Sequence, residues 1–593
     1  MTVLQSLKDA QNLEGFAKLL GYKPSALSYI LYKLPDSAKY HSFTIPKASG
    51  GERHIDAPLE PLKTLQRRLA KLLYDCVAHI EHETKRPALS HGFRRQRSII
   101  TNARQHRNRR YVFNLDLSDF FPTFNFGRVR GYFIKNADFA LPEKVATLIA
   151  QIACRDGKLP QGTPCSPIIA DLVAHILDVR MARMAKQGQA TYSRYADDLT
   201  FSTNRKEFAE GLAFLDPIDP EKWQPSLPLL SRIEHTGFAV NPAKTRMQFR
   251  GSRQTVTGLV VNRTVNIRAE YYKTVRSMCH SLFMTGRYHR PIPKLPVPPE
   301  GGDTATAGPE LTDKLAPLEG MLNHIHYVKN LADRRDDALK KEQPTAARRL
   351  YRDFLFYKSF VALKRPLLMC EGKTDNIYLR HAMRRLTDFH PALGQIEEVQ
   401  FKPAVGLFRY TNHSHDILRL GGGSGDIKLF ILHYARLLKR FTYLPLAHPV
   451  ILVVDNDDGV NGKKGIFALI KEKFGITIQW DSNDDFYHLV SNLYLVKTPS
   501  KGKTHKSCIE DLFDKATLDE KLGDKSFNKS NTTSTDTEYG KYFFAEKVVQ
   551  VKANSINFSG FKPLLNRIVA VIQHYAPPLP LVTVPTKAKK NET

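Results

Sequence analysis

Alternating hydrophobic and polar positions predict a β-hairpin around residue 196. Thr191–Arg194 and Leu199–Ser202 are rich in residues that favour strands, and they flank the Ala-Asp pair expected at the turn. Asp197 and Asp198 therefore lie at the tip of the predicted hairpin. Acidic pairs are also common in solvated loops, so the hairpin alone leaves two interpretations open, a metal site and a surface turn.

A second predicted strand lies upstream and also ends at an acidic residue. The apolar run that begins at Tyr111 reaches Asp116, and the aromatic Phe121 follows five residues later. In nucleotidyl transfer Mg²⁺ is held by carboxylate oxygens, with waters and phosphates completing the octahedron. The two strands together predict a site for a pair of Mg²⁺ ions, with Asp116, Asp197 and Asp198 as ligands.

Two apolar runs in the C-terminal half predict buried parallel strands. Pro366–Cys370 ends at Glu371, and His448–Val454 is followed by Asp455 and Asp457. Because α/β folds bind ligands at the carboxyl ends of parallel strands, we expect these acids at one edge of a sheet. They predict a second Mg²⁺ site, independent of the first.

Between these regions the pattern changes to helices and an irregular segment. Helices are predicted over Ala269–Met284, from near Leu318, and over residues 332–363. The Pro- and Gly-rich stretch within residues 288–312 predicts a disordered insertion. A lysine-containing tail over residues 577–593 is expected to be flexible.

The composition indicates an extended anionic partner and several domains. Lys and Arg number 88 against 59 Asp and Glu, which gives a formal net charge of +29. A chain of 593 residues is long enough for several domains of about 100 to 200 residues each. The six cysteines form no Cys-x-x-Cys pair and indicate neither a disulfide framework nor a zinc ribbon. No stretch approaches the roughly 20 apolar residues of a membrane span, so we expect a cytoplasmic protein without membrane contact.

The order and spacing of the N-terminal motifs resemble the palm of a reverse transcriptase. In that family the three aspartates share the metals, and an aromatic at the position of Phe121 is a steric gate against the 2′-hydroxyl of ribonucleotides. Leu159–Pro167 is similar to the family's loop beside the template-nucleotide pair, and Lys244 matches a lysine that faces the leaving pyrophosphate. A core aromatic at Phe121 and a surface lysine at Lys244 are the alternatives.

The resemblance also implies the roles of single residues. Arg53, on the return strand of a hairpin predicted over residues 45–55, would meet the incoming triphosphate. The implied catalytic residues are Asp116, Asp197, Asp198 and Lys244. The implied substrate-binding residues are Arg53, Phe121, Gln161, Gly162 and Tyr195.

Two further motifs are similar to signatures of retron reverse transcriptases. Asn102–His106 lies just before the first catalytic strand, and Val256–Gly258 follows the motif of Lys244. In retron enzymes these regions are associated with recognition of the enzyme's own structured RNA, and arginines crowd around the first of them. The implied RNA contacts are Asn102, His106, Arg107, Arg109, Arg110, Val256, Thr257 and Gly258. A solvated basic face and a structural histidine at position 106 are the alternatives, and Asp171 stands where the family usually has asparagine.

The C-terminal acids resemble those of the Toprim domain, a parallel α/β fold that binds Mg²⁺ in topoisomerases, primases and overcoming-lysogenisation-defect nucleases. Glu-Gly follows one strand and Asp-x-Asp follows another. Ser507–Phe513 is similar to the acidic element that these nucleases carry next. The resemblance implies metal ligation by Glu371, Asp455, Asp457 and Glu510, with Glu371 as general acid or base. Nuclease is the favoured activity, and a domain without catalysis is the alternative.

The fold class implied by both resemblances is an α+β right-hand polymerase with fingers, palm and helical thumb, followed by an α/β Toprim domain with a parallel sheet. The expected divisions are N-terminal helices and fingers over 1–115, palm over 116–262, thumb over 263–345, linker helix over 346–364, Toprim-like domain over 365–576 and tail over 577–593.

The implied function is that of a retron reverse transcriptase with a fused Toprim effector in antiphage defence. Such an enzyme uses Mg²⁺ and deoxynucleoside triphosphates, starts from a guanosine 2′-hydroxyl of its cognate noncoding RNA, and makes DNA that stays branched to that RNA. Host RNase H is an expected partner, because no RNase H segment is apparent in the sequence. A mobile-intron-type reverse transcriptase and an RNA-binding scaffold with a silent Toprim domain stay open as alternatives, and so does a homo-oligomer.

Overall fold

The chain forms two compact units in a computed structural model that describes residues 2–47, 51–86, 89–219, 222–291, 310–398, 400–500, 506–530 and 533–578. The first unit consists mainly of the residues up to Lys273, together with Tyr327–Asp333. The second consists mainly of Thr274–Arg290, Leu311–His326 and the chain from Arg334 onwards.

The first unit combines ten helices of the described chain with short strands. Its helices are α1 (Val3–Asp9), α2 (Leu13–Leu19), α3 (Pro24–Ser28), α4 (Asp36–Lys39), α5 (Leu62–Thr84), α6 (Ile99–Gln105), α7 (Phe126–Lys135), α8 (Glu143–Ala153), α9 (Ser166–Gln187) and α10 (Leu227–Glu234). Its strands are β1 (Tyr40–Pro46), β2 (Glu52–Pro58), β3 (Tyr111–Ser118), β4 (Thr191–Tyr195), β5 (Asp198–Thr203), β6 (Ala213–Leu215), β7 (Trp223–Pro225), β8 (Ala239–Val240), β9 (Arg246–Phe249), β10 (Thr255–Val256) and β11 (Leu259–Val260).

An antiparallel sheet forms the centre of the first unit. Its strands are ordered β4-β5-β3-β8, and β9 also pairs with β3. The central strand β3 is buried from Val112 to Leu117, and its apolar side chains join the buried faces of α5, α8 and α9 in one core. The register pairs Asp116 with Asp198, so the acids of the predicted hairpin meet the end of β3.

The hairpin expected near Arg53 is formed by β1 and β2. The two strands pair antiparallel, with Ile45 opposite Arg53. Gly51 adopts a φ of +77°, a left-handed conformation that glycine tolerates without a steric penalty. The other glycine of the predicted Gly-Gly turn lies outside the described residues.

The second unit contains most of α11 (Ala269–Thr285) and of α12 (Leu315–Ala332), two helices that lie where the sequence predicted helices; their remaining residues belong to the first unit. Its other helices are α13 (Asp337–Glu342), α14 (Ala346–Phe356), α15 (Asp375–Arg385), α16 (Ser424–Leu438), α17 (Asp458–Asn461), α18 (Ile466–Phe474), α19 (Lys515–Leu518), α20 (Lys541–Phe543), α21 (Gln550–Lys552) and α22 (Lys562–His574). Its strands are β12 (Tyr288–Arg290), β13 (Glu310–Thr312), β14 (Leu367–Cys370), β15 (Gly394–Glu397), β16 (Gln400–Pro403), β17 (Gly406–Leu407), β18 (Val450–Val454), β19 (Tyr487–Val490), β20 (Leu493–Lys497), β21 (Ser526–Phe527) and β22 (Glu538–Tyr539).

A mostly parallel sheet forms the core of the second unit. Its order is β17-β14-β18-β20-β19, and only β19 runs antiparallel to its neighbour. The apolar runs that predicted two parallel strands are β14 and β18, which are adjacent in the sheet. Buried side chains of α15 and α22 pack in the same core.

The single charged helix expected over residues 332–363 is two helices. Pro344 lies between α13 and α14, and proline cannot donate the backbone hydrogen bond that a continuous helix requires. Helix α14 is not an exposed linker, because Tyr351, Phe354 and Phe356 are buried. Its aromatic face therefore belongs to the core of the second unit.

Two predictions fall largely outside the described residues. The predicted insertion over 288–312 is described only at its ends, where β12 and β13 pair as a two-stranded sheet. The predicted flexible tail over 577–593 is described only to residue 578. Among the helices that the structure describes, none combines the length and the apolar character needed to cross a bilayer.

Candidate functional site

Three carboxylates meet at one end of the sheet in the first unit. Asp116 ends the buried part of β3, and Asp198 begins β5 directly opposite it. The turn between β4 and β5 brings in Asp197, because Ala196 adopts a φ of +54° and closes the hairpin tightly. The backbone N–H of Leu117 donates to the Asp197 carbonyl at 3.0 Å, which fixes the turn against β3.

The electrostatics of this group favour binding of a cation. Burial, together with Asp197 and Asp116, raises the pKa of Asp198 to about 6. Burial also raises the pKa of Asp197. Both pKa shifts reflect burial and repulsion between neighbouring carboxylates. A bound cation would relieve both effects.

Lys244 is the cation closest to this group in the structure. Its ammonium donates to both Asp116 carboxylate oxygens, at 3.0 and 3.1 Å. Pro242–Lys244 forms a single 3₁₀ turn, and the N–H of Asn241 donates to the Asp116 carbonyl at 2.8 Å, so the backbone holds the lysine beside the acid. Within the described residues no three Asp, Glu, His or Cys side chains are arranged to hold a metal ion as they stand. The carboxylates fit Mg²⁺ chemically, but a bound ion would have to displace the lysine from Asp116.

The loop of Gln161 and Gly162 approaches the β1–β2 hairpin closely. The N–H of Asp56 donates to the Gln161 carbonyl at 2.8 Å. Gly162 has a φ of +107°, and a Cβ there would lie 2.7 Å from the Ile55 side chain. Only glycine fits this contact, so its role in the structure is to let the loop touch the hairpin. Arg53 on the same hairpin is exposed and lies near enough to lower the pKa of Asp197, against the larger effect of burial.

The two aromatic residues predicted to bind substrate are both half-buried. The Phe121 ring packs against Phe93 and Phe120, with ring centres 5.9 and 5.5 Å away. Tyr195 pairs with Asp198 in the hairpin register, and burial together with Asp198 raises its pKa. Both aromatics are therefore partly accessible, and Tyr195 lies beside Asp198.

The two signature motifs are packed together, but their polar side chains differ in exposure. Asn102 lies in α6 and His106 directly follows the helix, and both residues are fully buried. Val256 is buried in β10, while Thr257 and Gly258 form the turn to β11 with φ values of +46° and +81°. The Thr257 hydroxyl donates to the Ile99 carbonyl at 3.1 Å, which joins this turn to α6.

The predicted RNA-binding arginines are mostly on the surface. Arg107 and Arg110 are exposed, whereas Arg109 is half-buried and donates to the Thr191 hydroxyl at 3.2 Å. The described surface therefore offers two free guanidinium groups beside the signature motifs.

Comparison with known proteins agrees with this arrangement. The family model for reverse transcriptase (RNA-dependent DNA polymerase) matches residues 45–261, which include all three carboxylates. Residues 45–261 are therefore similar to reverse transcriptase domains. The same part of the chain is similar to retron reverse transcriptases.

Three relatives are retron reverse transcriptases. The chain is 35% identical to retron Mx65 reverse transcriptase of Myxococcus xanthus, over 45% of this chain and 62% of that protein. It is 34% identical to retron Mx162 reverse transcriptase of the same organism, over 43% and 54%. It is 29% identical to retron Ec86 reverse transcriptase of Escherichia coli, over 46% and 78%. The chain thus spans between half and two thirds of the first two relatives' lengths.

Among solved structures, telomerase from Candida albicans in complex with a fragment of telomeric RNA overlaps 54% of this chain and 60% of its own, at 11% identity and a TM-score of 0.28. Apo telomerase from Candida tropicalis has the same TM-score at 13% identity.

A second group of acids lies at the carboxyl ends of β14 and β18 in the second unit. Glu371 follows β14 and Asp455 follows β18, and the Glu371 N–H donates to the Val453 carbonyl at 3.1 Å. Asp455 accepts a hydrogen bond from the Ile509 N–H at 2.9 Å, which brings the neighbouring Glu510 to the same edge of the sheet.

Burial and mutual repulsion raise the pKa of several of these acids. Burial, with Asp375 and Glu510, raises the pKa of Asp455 to about 8. Burial, then Glu510, raises that of Asp375 to about 6. Burial and Asp457 raise that of Glu371. One oxygen of Glu371 and one of Glu510 are buried without a protein partner among the described residues, and such oxygens fit a cation.

Sequence reasoning missed two residues of this group. Asp375 is the first residue of α15, four residues after Glu371, and was not predicted as a member of the site. Lys541 pairs with Glu510 at 3.0 Å and lies far from the other members in sequence, so no local pattern could reveal it. Asp457 mainly caps α17, accepting from the N–H groups of Gly459 and Val460 at 2.9 and 3.2 Å.

The glycine-rich loop before α16 crosses over Glu371. The N–H of Gly423 donates to the Glu371 carbonyl at 2.8 Å, and Gly422 and Gly423 have φ values of +106° and +97°. The loop therefore lies in the connection between β17 and β18 and contacts the backbone of Glu371.

Proposed function

We propose that the chain is a retron reverse transcriptase with a fused Toprim effector that acts in antiphage defence. The observation that carries the polymerase half is the pairing of Asp116 with Asp198, with Asp197 in the adjoining turn, inside a domain that resembles retron polymerases. Several acids at one end of an antiparallel sheet suit nucleotidyl transfer, because two cations there serve both the attacking and the leaving oxygen.

Asp116, Asp197 and Asp198 would hold Mg²⁺ in this proposal. When bound, Mg²⁺ lowers the pKa of the attacking hydroxyl and neutralises the leaving pyrophosphate. Lys244, released from Asp116, is placed to give a proton or a positive charge to the pyrophosphate. Arg53 supplies charge to the incoming deoxynucleoside triphosphate.

Four neighbouring residues complete the nucleotide site. Phe121 and Tyr195 present partly exposed rings, and Phe121 excludes a ribose 2′-hydroxyl by contact. Gln161 and Gly162 support the template-nucleotide pair through the loop that touches the β1–β2 hairpin.

Primer extension on an RNA template tests the polymerase. Asp197→Asn should lower DNA synthesis by about a thousandfold or more, because it removes a metal ligand. Asp119→Asn is the matched control, since Asp119 is an exposed carboxylate just after Asp116 and should not matter. Equal rates for the two variants would contradict the assignment.

The partner of the polymerase is proposed to be its cognate noncoding RNA. The exposed Arg107 and Arg110, with the turn at Thr257 and Gly258, offer phosphate and sugar contacts beside the palm. Priming from a guanosine 2′-hydroxyl of this RNA yields DNA that stays branched to it, and host RNase H removes the copied template.

The DNA that purifies with the protein tests this priming. A debranching enzyme should change its mobility, and its sequence should be that of one RNA. DNA with unaltered mobility, or equal copying of any primed template, would favour the mobile-intron alternative. Arg107→Gln should weaken RNA binding and reduce its salt dependence by about one counterion.

The second unit is proposed to be a Toprim nuclease. Its support is the convergence of Glu371, Asp455 and Glu510 at the carboxyl edge of a mostly parallel sheet, with raised pKa values for the first two. Glu371, Asp455, Asp457 and Glu510 would hold Mg²⁺, and Glu371 would also act as general acid or base.

Infection experiments with two variants test the effector. Glu371→Gln should abolish protection of infected cells while the yield of branched DNA stays at the wild-type level. Glu472→Gln, at an exposed position of α18, is the control and should protect fully. Full protection by Glu371→Gln would make the second unit a scaffold, and loss of branched DNA would contradict the separation of the two activities.

A further inference from the structure

Strand β4 leads directly into the catalytic turn, and polar side chains on both of its faces are buried. Arg194 is fully buried and the side chain of Ser193 is almost so. Because side chains alternate along a strand, these two neighbours point to opposite faces of the sheet. Buried polar groups need partners, so each face must provide a hydrogen-bond network.

On one face, Arg194 ties the turn to helix α9. Its guanidinium donates to both carboxylate oxygens of Asp178, at 2.8 and 2.7 Å, and to Asp171 at 3.0 Å. Its remaining nitrogen donates to the Ala196 carbonyl at 3.1 Å, inside the catalytic turn. Arg94 pairs with the other oxygen of Asp171. The planar guanidinium has its donors in fixed positions and can hold the Ala196 carbonyl in place. A lysine ammonium could not reach all of these acceptors.

On the other face, Ser193 is held by helix α6. The Ser193 hydroxyl donates to Asn102 Oδ1 at 2.6 Å, and His106 Nε2 lies 2.7 Å from the same hydroxyl oxygen. His106 Nδ1 lies 2.7 Å from the hydroxyl of Ser202 on β5. Since Ser193 gives its proton to Asn102, Nε2–H of a neutral His106 donates to Ser193 and Nδ1 accepts from Ser202.

This network joins α6 to both arms of the catalytic hairpin. Neither Asn102 nor His106 has a surface left for RNA, because both side chains are fully enclosed. The exposed side of the same helix carries Arg104 and Gln105 instead.

We propose that Asn102, His106 and Arg194 are positioning residues that hold β4 and the catalytic turn in register from its two faces, and that RNA contacts in this region belong to exposed neighbours. This proposal rests on the polymerase function proposed above. In this proposal the buried residues Asn102 and His106 help to set the geometry of the three carboxylates, and they do not contact the substrate.

Single-nucleotide incorporation by the full chain separates positioning from RNA binding. Arg194→Lys and Ser193→Ala should each lower kcat by about tenfold or more, with the Kd for primed RNA template within about twofold of wild type. Gln187→Ala, at an exposed position of α9, is the control and should leave both unchanged. If Arg194→Lys does not fold, Ser193→Ala carries the test, because it removes a single oxygen.

His106→Gln provides the decisive contrast with Arg107→Gln. The former should lower kcat with an unchanged salt dependence of binding, and the latter should raise the Kd and reduce that salt dependence. If His106→Gln weakens RNA binding as much as Arg107→Gln does, with kcat within about twofold of wild type, the positioning role is overturned.

Amide hydrogen exchange gives a readout that does not need polymerase activity. In Ser193→Ala, exchange should accelerate in β4, the turn and β5, and stay at the wild-type rate in α7 and α8. Uniform acceleration through the first unit would overturn the proposal in favour of a general loss of stability. A wild type that makes no DNA would contradict the proposed function alone, and the exchange pattern would still decide whether the hairpin is held as described.

Discussion

At the scale of single residues, the ion pair between Lys244 and Asp116 sets a competition for the first acidic group. The ammonium contacts both carboxylate oxygens, which are the atoms that would bind Mg²⁺ in the proposed polymerase site. Lys244→Ala should therefore lower the Mg²⁺ concentration for half-maximal DNA synthesis several-fold, even as the maximal rate falls by about tenfold. Metal titrations of primer extension check this, with Lys186→Ala at an exposed position as control. An unchanged or higher Mg²⁺ requirement would contradict the competition.

His106 makes the stability of the first unit depend on pH. Burial, with smaller contributions from Arg109 and His91, lowers its pKa from 6.5 to about 3. Below about pH 6.5, His106 takes up a proton in the unfolded chain but stays neutral in the folded protein. The contribution of the neutral His106 to the free energy of unfolding is therefore fully present above about pH 6.5. It falls by about 2 to 3 kcal/mol between pH 6.5 and about pH 4.5.

Urea unfolding of the first unit at neutral and acidic pH measures this effect. His106→Gln removes the titrating group, so its free energy of unfolding should depend less on pH than that of the wild type over this range. His82→Gln, at an exposed histidine, should keep the wild-type dependence. Parallel pH profiles for wild type and His106→Gln would show that the imidazole is not held neutral.

At the scale of elements, the segment before α6 packs against the turn between β4 and β5. A Cβ on Gly92 would lie 2.5 Å from the Ala196 nitrogen, and such a contact forces the backbone to move. Gly92→Ala should lower DNA synthesis by about tenfold or more and lower the melting temperature. Gly131→Ala is the matched control, because a Cβ there meets nothing within 4 Å and the alanine should stabilise α7 by about 0.5 to 1 kcal/mol. Equal activity in both variants would mean that the turn tolerates displacement.

The elements also show which features a sequence can predict. The strand ending at Asp116, the hairpin of Asp197 and the paired strands β14 and β18 were predictable, because each depends on periodicity and spacing over a few residues. Pro344 marks the break between α13 and α14 in the sequence, although one continuous helix was predicted there. Short-range patterns therefore predicted the strands that carry the two acidic groups.

The candidate sites were less predictable where their members are distant in sequence. The polar character of His106 favours a surface position, and its burial depends on Ser193 and Ser202, which lie about 90 residues further along the chain. The same holds for Lys541, which meets Glu510 only through the fold. Such partners are set by tertiary packing, which no local pattern records.

At the scale of the whole molecule, each unit carries its own acidic group, and the second one should make stability depend on metal. Burial and mutual repulsion raise the pKa values of Glu371, Asp375 and Asp455, and Lys541 offsets only part of this effect at the two aspartates. A saturating cation at about a hundred times its Kd stabilises the folded state by about 2.7 kcal/mol. Chelation of Mg²⁺ should therefore speed amide exchange in β14 and β18.

Two variants separate this local effect from metal binding elsewhere. Glu371→Gln should make exchange in β14 and β18 insensitive to chelation, whereas Glu472→Gln should respond as the wild type does. The same metal response in Glu371→Gln would exclude Glu371 as a ligand.

The ion network below the catalytic turn constrains how related chains can vary. Arg94 and Arg194 face Asp171 and Asp178, so the buried charges of this group balance; Arg94 also contacts the exposed Glu81 at 3.3 Å. Asparagine at position 171 would leave a surplus of buried positive charge. Breaking a buried ion pair in this way lowers the free energy of unfolding by about 3 to 5 kcal/mol. Positions 94 and 171 should therefore covary in an alignment of retron polymerases, with a cation at the former only where the latter is acidic. In this chain, Arg94→Gln should then recover much of the stability that Asp171→Asn loses.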